Sequence, residues 1–219
     1  MKFLEEGAIF LKEINAIVIG DLHLGYEIEL RKKGINVSLN LYEKIEKIKK
    51  KTSAKNIILL GDVKHNIFRP NEKEERIIKE FFEILNLNFS QIFVVKGNHD
   101  AFLEEYISAK IFSSKGFKIG KYGFFHGNSK PLKKVLSCKY LFCSHLHSKL
   151  FLPEDIKKYE VPIFIVAKGK NKIIILPPFN DILFGKEFEV ESKFLRDLLK
   201  NHKIEFISLK GEVIDVKFL

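Results

Sequence analysis

Ala16-Ile-Val-Ile-Gly-Asp-Leu-His23 is a short apolar run that ends in a glycine and then immediately offers a carboxylate and an imidazole. Two later stretches repeat the arrangement: Ile57-Ile-Leu-Leu-Gly-Asp62 and Ile92-Phe-Val-Val-Lys-Gly-Asn-His-Asp100. Apolar runs of this length read as buried strands. Between them Leu41, Ile45 and Ile48, and then Ile77, Ile78, Phe81, Phe82 and Leu85, recur at helical spacing. The second set follows Pro70 and an acidic first turn at Glu72, Glu74 and Glu75. Strands alternating with helices imply a layered α/β fold. In an open α/β sheet the carboxyl ends of the strands border the binding crevice, so the polar residues just past these glycines should converge. The glycines permit a tight exit and a close approach of neighbouring chain.

Further along, Phe124-Phe125 leads into His126-Gly127, and Leu141-Phe-Cys143 leads into Ser144-His145-Leu146-His147. After about residue 116 the apolar runs crowd together: Phe117–Ile119 with Tyr122–Phe125, Tyr140–Cys143, then 163–166 with 172–176 across the turn Lys168-Gly-Lys-Asn171. The C-terminal half should therefore be β-rich. A last helix, about Glu191 to Asn201, precedes a hairpin of Ile204–Leu209 and Val213–Phe218 turned at Lys210-Gly211. Pro177-Pro178-Phe179-Asn180 reads as a strand-ending turn that could bring Asn180 to the pocket. No repeat, low-complexity stretch or Pro/Ser-rich linker marks a boundary, so residues 1–219 read as a single domain.

Composition narrows the class. Hydrophobic residues at 46% and charged residues at 30% exclude a disordered or collagen-like chain. No apolar stretch approaches the roughly 18–20 residues of a membrane span, and Glu5, Glu6 and Glu13 interrupt any signal-peptide core, so a cytoplasmic chain is expected. Cys138 and Cys143 are too few for a disulfide framework or a zinc ribbon and read as reduced, partly buried thiols. With 38 Lys+Arg against 28 Asp+Glu the net charge is +10, carried mostly by lysine. Such charge favours an anionic partner, and nucleic acid would be held weakly, in a salt-sensitive way and without sequence preference. Lys47-Ile-Lys-Lys-Lys51 reads as the basic end of a helix. Lys130, Lys133 and Lys134 follow His126 closely enough to rim a site.

Asp21-x-His23 and His145-x-His147 share a spacing that lets both side chains leave an extended segment on one side. Asp21, His23, Asp62, Asn98, His126, His145 and His147 together mix carboxylate, amide oxygen and imidazole, a donor set that suits Mn²⁺, Fe or Zn²⁺ better than Ca²⁺. They are too many for one such ion. They suit two ions sharing a carboxylate about 3.5–4 Å apart, an arrangement that generates hydroxide at neutral pH and stabilises the entering and leaving oxygens of a phosphoryl centre.

In this order Asp21-x-His23, Gly61-Asp62, Gly97-Asn98-His99-Asp100, His126 and His145-x-His147 resemble the blocks of the calcineurin-like metallophosphoesterase superfamily, over roughly residues 14–150. The overall size and Leu176-Pro-Pro-Phe179-Asn180 are similar to a small prokaryotic branch related to the SbcD nuclease. The resemblance implies a four-layer α/β/β/α sandwich with the metals at one edge. It implies one metal on Asp21, His23, Asp62 and His147 and another on Asp62, Asn98, His126 and His145, with Asp62 as the bridge. The expected pair is Mn²⁺, with Fe, Ni or Zn as alternatives. His99 would protonate the leaving oxygen, Asp100 would orient its ring, and a metal-bridging hydroxide would attack in line on a phosphodiester. Alternatives are a nuclease acting on DNA or RNA and a catalytically silent protein-binding scaffold on the same fold. Two positions depart from the pattern: Ser144 stands where the family usually has glycine, and His65 where many members carry an acidic residue. Neither removes a ligand. His65 reads as a residue at the pocket edge or behind the ligands, and His202 as a surface residue of the terminal helix.

Overall fold

The computed structural model describes residues 1–154, 157–183 and 192–214. β1 (Lys2–Leu4) and β2 (Ala8–Leu11) form an antiparallel hairpin that joins β3 (Ala16–Ile19). Next to β3 lie β4 (Asn56–Leu60), β5 (Gln91–Val95) and β6 (Lys110–Phe112), all parallel, in a six-stranded sheet ordered β1 to β6. The register Ile17↔Ile57↔Ile92 sets the three Gly-terminated strands side by side, so their exits open at one edge. Three helices lie between these strands along the chain: α1 (Tyr26–Lys32), α2 (Leu41–Thr52) and α3 (Glu72–Asn88). Asn71 caps α3 by accepting from the amides of Lys73 and Glu74. Lys49 to Lys51 lie in the last turn of α2, as a helix dipole favours.

The second half supplies β7 (Phe117–Ile119), β8 (Tyr122–Phe124), the four-residue helix α4 (Lys133–Leu136) and β9 (Tyr140–Cys143). A ribbon of β10 (Lys149–Glu154) and β11 (Lys157–Pro162) follows, then β12 (Phe164–Lys168), β13 (Lys172–Ile175), α5 (Lys193–Leu199), β14 (Lys203–Ile207) and β15 (Val213–Ile214). These strands, apart from the ribbon, make a seven-stranded sheet in the order β15-β14-β12-β13-β9-β8-β7. β9 is parallel to both β8 and β13, so His126 and His145 emerge past neighbouring strand ends.

Strand alternation sorts the apolar side chains into three cores. Ile17, Ile19, Ile57 and Leu59 face α2 and α3, meeting Ile45, Ile48, Ile78 and Phe81. Their neighbours Val18, Ile58 and Leu60 face the other sheet and meet Phe124, Phe142, Phe164 and Ile174. On the far side Leu141, Ile165, Ile173 and Ile175 pack under Val135 of α4 and Leu195 and Leu199 of α5. This is the four-layer α/β/β/α arrangement the resemblance implies. Each fully buried Leu, Ile or Phe side chain contributes about 1.5–3 kcal/mol relative to exposure.

The long strands coincide with the apolar runs expected to be strands, whereas the β1–β2 hairpin, α1, β6 and the β10–β11 ribbon are short or charged and lie outside those runs. The last helix spans Lys193–Leu199, shorter than expected, and residue 191 lies outside the described residues. The final hairpin pairs Phe206 with Ile214, and the expected strand beyond residue 214 also lies outside them. His202 follows α5 rather than belonging to it, and its Nε2 lies 3.0 Å from Asn171 Oδ1 in the β12–β13 turn. Both cysteines are buried free thiols. Among the described residues no helix is long and apolar enough to cross a membrane.

Candidate metal centre

Past their last ladder bonds, the chains leaving β3 and β4 continue to pair. Asp21 donates its amide to the Gly61 carbonyl at 3.1 Å, His23 to Asp62 at 2.9 Å and Leu24 to Val63 at 2.8 Å. Phe179 donates to the Gly20 carbonyl at 2.9 Å, and the buried Asn180 amide donates to Leu22 O at 2.8 Å. Asn180 thus backs the loop between Asp21 and His23 from behind, through backbone. The two chelating pairs are not extended, as their spacing suggested. Asp21, His23, Asp62, His145 and His147 have φ of +53°, +45°, +49°, +73° and +46°. Each such non-glycine residue costs on the order of 1–2 kcal/mol, and strain of this kind collects at functional sites.

These loops bring the side chains together in two groups. Ligand atoms of Asp21, His23, Asp62 and His147 lie within 4.8 Å of one another, as do those of Asp62, His126 and His145. Asp62 belongs to both. Its Oδ1 accepts the His99 amide at 2.9 Å, whereas Oδ2 faces His126 Nε2 at 3.3 Å and His23 Nε2 at 3.7 Å. Asp21 Oδ2 accepts the His145 amide at 2.9 Å and faces His147 Nε2 at 3.8 Å. The buried Nε2 atoms of His23, His126 and His147 complete no hydrogen bond. Buried polar atoms are rarely left so, and lone pairs converging on carboxylate oxygens fit a divalent transition metal. Asn98 lies exposed at the β5 exit, between Gly97 and His99.

Charge follows the geometry. Burial pushes the Asp21 carboxyl up. Burial acts likewise on Asp62, but the His126 and His23 rings outweigh it and hold that carboxyl below the usual range. Burial pulls His23 down to about 2. It pulls on His126 too, yet Asp62 and Asp21 lift that ring to about 9. With only the protein's own charges, His126 and Asp62 each favour the other's charged form. A divalent cation bound at Asp62 would favour the neutral, ligating ring instead.

Beside the two groups, the His99 ring packs edge-on to His23, centroids 4.7 Å apart, and its Nδ1 bonds the His65 carbonyl. That leaves Nε2 as the ring nitrogen not taken up by this bond. Asp100 does not orient this ring. Its buried carboxylate accepts from the amides of Val63, Lys64 and Gly97, at 2.9, 3.2 and 2.8 Å, and ties the β4 exit to the β5 exit. Burial, then the Asp62 carboxylate, raise it to about 6.

A profile of calcineurin-like phosphoesterases matches residues 14–209. The chain belongs to the calcineurin-like phosphoesterase family. Among curated proteins, none matches the chain. A nuclease, MPE, from Pseudomonas putida shares the fold at a TM-score of 0.66 and 14% identity, over 94% of this chain and 90% of that one. The phosphoesterase YfcE from E. coli aligns at 0.48 and 15% identity, over 91% and 96%. Vps29 from Entamoeba histolytica, complexed with Zn²⁺, aligns at 0.38 and 13% identity, over 91% and 95%. Nothing in these comparisons singles out the SbcD-related branch.

In this calcineurin-like phosphoesterase the position usually held by glycine, Ser144, is wholly buried. Its hydroxyl lies 2.7 Å from Leu60 O and 3.1 Å from Asp21 Oδ1, with one proton to give to either. Gly20 makes room for it: a Cβ there would sit 2.6 Å from Ser144 Cβ. Two further residues escaped the sequence reading. Lys64 is fully buried, and its ammonium bonds the carbonyls of Asn66, Phe68 and His99, clamping the loop after β4 to the loop after β5. Glu29 on α1 accepts from His65 Nε2 at 2.7 Å, and Lys33, then His65, lower its carboxyl to about 2. Lysine is so frequent here that Lys64 carries no signal of its own; an apolar run followed by Asp-Val-Lys-His is the only hint. A cavity of about 320 Å³ opens beside His99, lined by Gly25, Ile28, Glu29, His65 and Phe68.

Proposed function

We propose that the chain is a two-metal phosphoesterase that hydrolyses phosphodiesters. The observation that carries this reading is the sharing of Asp62: one carboxylate oxygen faces the uncompleted Nε2 atoms of two histidines from two different groups. The sites are Asp21, His23, Asp62 and His147, and Asp62, Asn98, His126 and His145. Two divalent cations, when bound, supply a nucleophile from water at neutral pH and stabilise charge on the phosphoryl oxygens. The protein's part is positioning and proton transfer. The left-handed loop residues hold the ligands inward, and the Leu60 carbonyl, 2.6 Å from His126 Nδ1, keeps that ring's Nε2 free to bind. His99, held at Nδ1 by the His65 carbonyl, presents Nε2 as general acid to the leaving oxygen. The cavity beside His99 gives an organic leaving group room.

Nucleic acid is the polyanionic form of such a diester, and the net charge of +10 favours its approach. The test is a matrix of purified chain with Mn²⁺, Fe²⁺, Ni²⁺, Zn²⁺ or Mg²⁺ against an aryl phosphodiester, an aryl monoester, cyclic nucleotides and single-stranded DNA. The expected result is diester turnover that needs a transition metal, with Mn²⁺ strongest. Absence of turnover with every metal would instead favour the silent-scaffold reading.

A further inference from the structure

We infer that His65 and Glu29 form a hydrogen-bonded relay that fixes the tautomer and orientation of the His23 ring, and thereby the affinity of the metal position His23 serves. The inference rests on the two-metal reading above and assigns residues that the family pattern leaves out.

The position of one proton decides the arrangement. His23 Nε2 faces Asp62 Oδ2 and sits in the group with Asp21 and His147, so it is the ligand atom. A neutral imidazole with a free Nε2 carries its proton on Nδ1. The atom facing His23 Nδ1 is His65 Nδ1, 3.4 Å away, which must then accept. The proton of His65 therefore sits on Nε2, 2.7 Å from Glu29 Oε2, a carboxylate that can only accept when ionised. Every ring stays neutral and every nitrogen has one role. With the His65 proton moved to Nδ1, His23 would have to carry its own on Nε2, and the ligand lone pair would be lost. Ligating histidines generally donate their other N–H to a carboxylate or a carbonyl. Here the carboxylate acts one ring removed.

His65 serves a second ring by different means. Its backbone carbonyl accepts from His99 Nδ1. A side-chain substitution at position 65 therefore separates the two roles: it removes the hold on His23 and leaves the carbonyl that holds His99. His23, His65 and His99 also group closely enough to be considered an ion site. An ion there would require His23 to bind through both nitrogens as an imidazolate, whereas the relay uses the same atoms without extra charge.

The test uses the full chain and Zn²⁺ alone, titrated against a chromophoric chelator, with circular dichroism to confirm folding. The wild type should bind two ions. His65→Ala should weaken one of them by about 10–100-fold and leave the other unchanged. His65→Asn should restore most of that loss, because its amide oxygen can accept in place of Nδ1. Glu29 is partly exposed, so Glu29→Ala will fold; it should weaken the same ion by less, and Glu29→Gln should recover it. Nitrogen-15 spectra of the Zn²⁺-loaded chain should show the proton on Nε2 of His65 and on Nδ1 of His23. Unchanged affinity for both ions in His65→Ala, a proton on Nδ1 of His65, or a third ion lost with that side chain would each overturn the relay alone. A wild-type chain that binds no ion would overturn the two-metal reading and the relay with it.

Discussion

His126 points Nε2 at Asp62 Oδ2 from 3.3 Å and is steered by the Leu60 carbonyl, whereas His23 points Nε2 at the same oxygen from 3.7 Å and is steered by the ring of His65. The first arrangement is wholly buried between the sheets and rests on the Leu60 carbonyl, with the buried Ser144 hydroxyl 3.2 Å from the same nitrogen. The second runs through side chains to Glu29, whose side chain is 43% exposed, so it can be edited without disturbing a strand. The two supports thus differ in burial: His126 is wholly enclosed, whereas the side that borders the cavity ends on a partly exposed residue.

The largest expected effect lies in the third ring. His99, like His126, is steered by a carbonyl, and it belongs to neither proposed metal position. His99→Ala should therefore keep its metal content while kcat falls by about 10²–10⁴, the usual contribution of a positioned general acid. Steady-state rates on esters of graded leaving groups check this. The loss should shrink where the leaving oxygen needs no proton, and an equal loss across the series would remove His99 from the acid role.

A smaller effect probes the stiffness of the His126 side. Gly61 has φ +84°, and a Cβ there would sit 2.5 Å from His126 Nδ1. Gly61→Ala should lose about 2–5 kcal/mol of stability, combining left-handed strain with overpacking. Gly34 has φ +80° with nothing within 4 Å of a built Cβ, so Gly34→Ala should lose only the strain, about 1–2 kcal/mol. Urea unfolding of the two variants gives the difference. Equal losses would show that the His126 ring yields as readily as a loop.

Much of this was legible in the sequence because strand, glycine and ligand stand next to one another along the chain. Val18, Ile58 and Leu60 announce strands by their run, and Gly20 and Gly61 announce the exits. The group sharing Asp62 follows from parallel strands set side by side. Contacts made across the fold were not legible. Glu29 reaches His65 from 36 residues away, on a helix with one buried residue, Leu30, and so no periodic stripe. Adjacency also misled: Asp100 follows His99 directly, yet its carboxylate turns to the amides of Val63, Lys64 and Gly97. Ser144 is a departure visible in the sequence, but its partners Leu60, in β4, and Asp21, in the exit from β3, lie far earlier in the chain. The spacing of Asp21 and His23 identified the pair but not its left-handed backbone, which depends on pairing with the β4 exit.

The central claim is that Asp62 joins two metal positions with separate supports. Metal content by mass spectrometry after gel filtration, on folded wild-type chain and on Asp62→Ala, His23→Ala and His126→Ala, tests it most directly. A shared carboxylate offsets the repulsion between the two cations, so its removal disturbs both positions. The account predicts two ions in the wild type and close to none in Asp62→Ala at limiting metal. His23→Ala should preferentially lose one ion and His126→Ala the other. Both ions retained in folded Asp62→Ala, with both lost from His23→Ala, would contradict it.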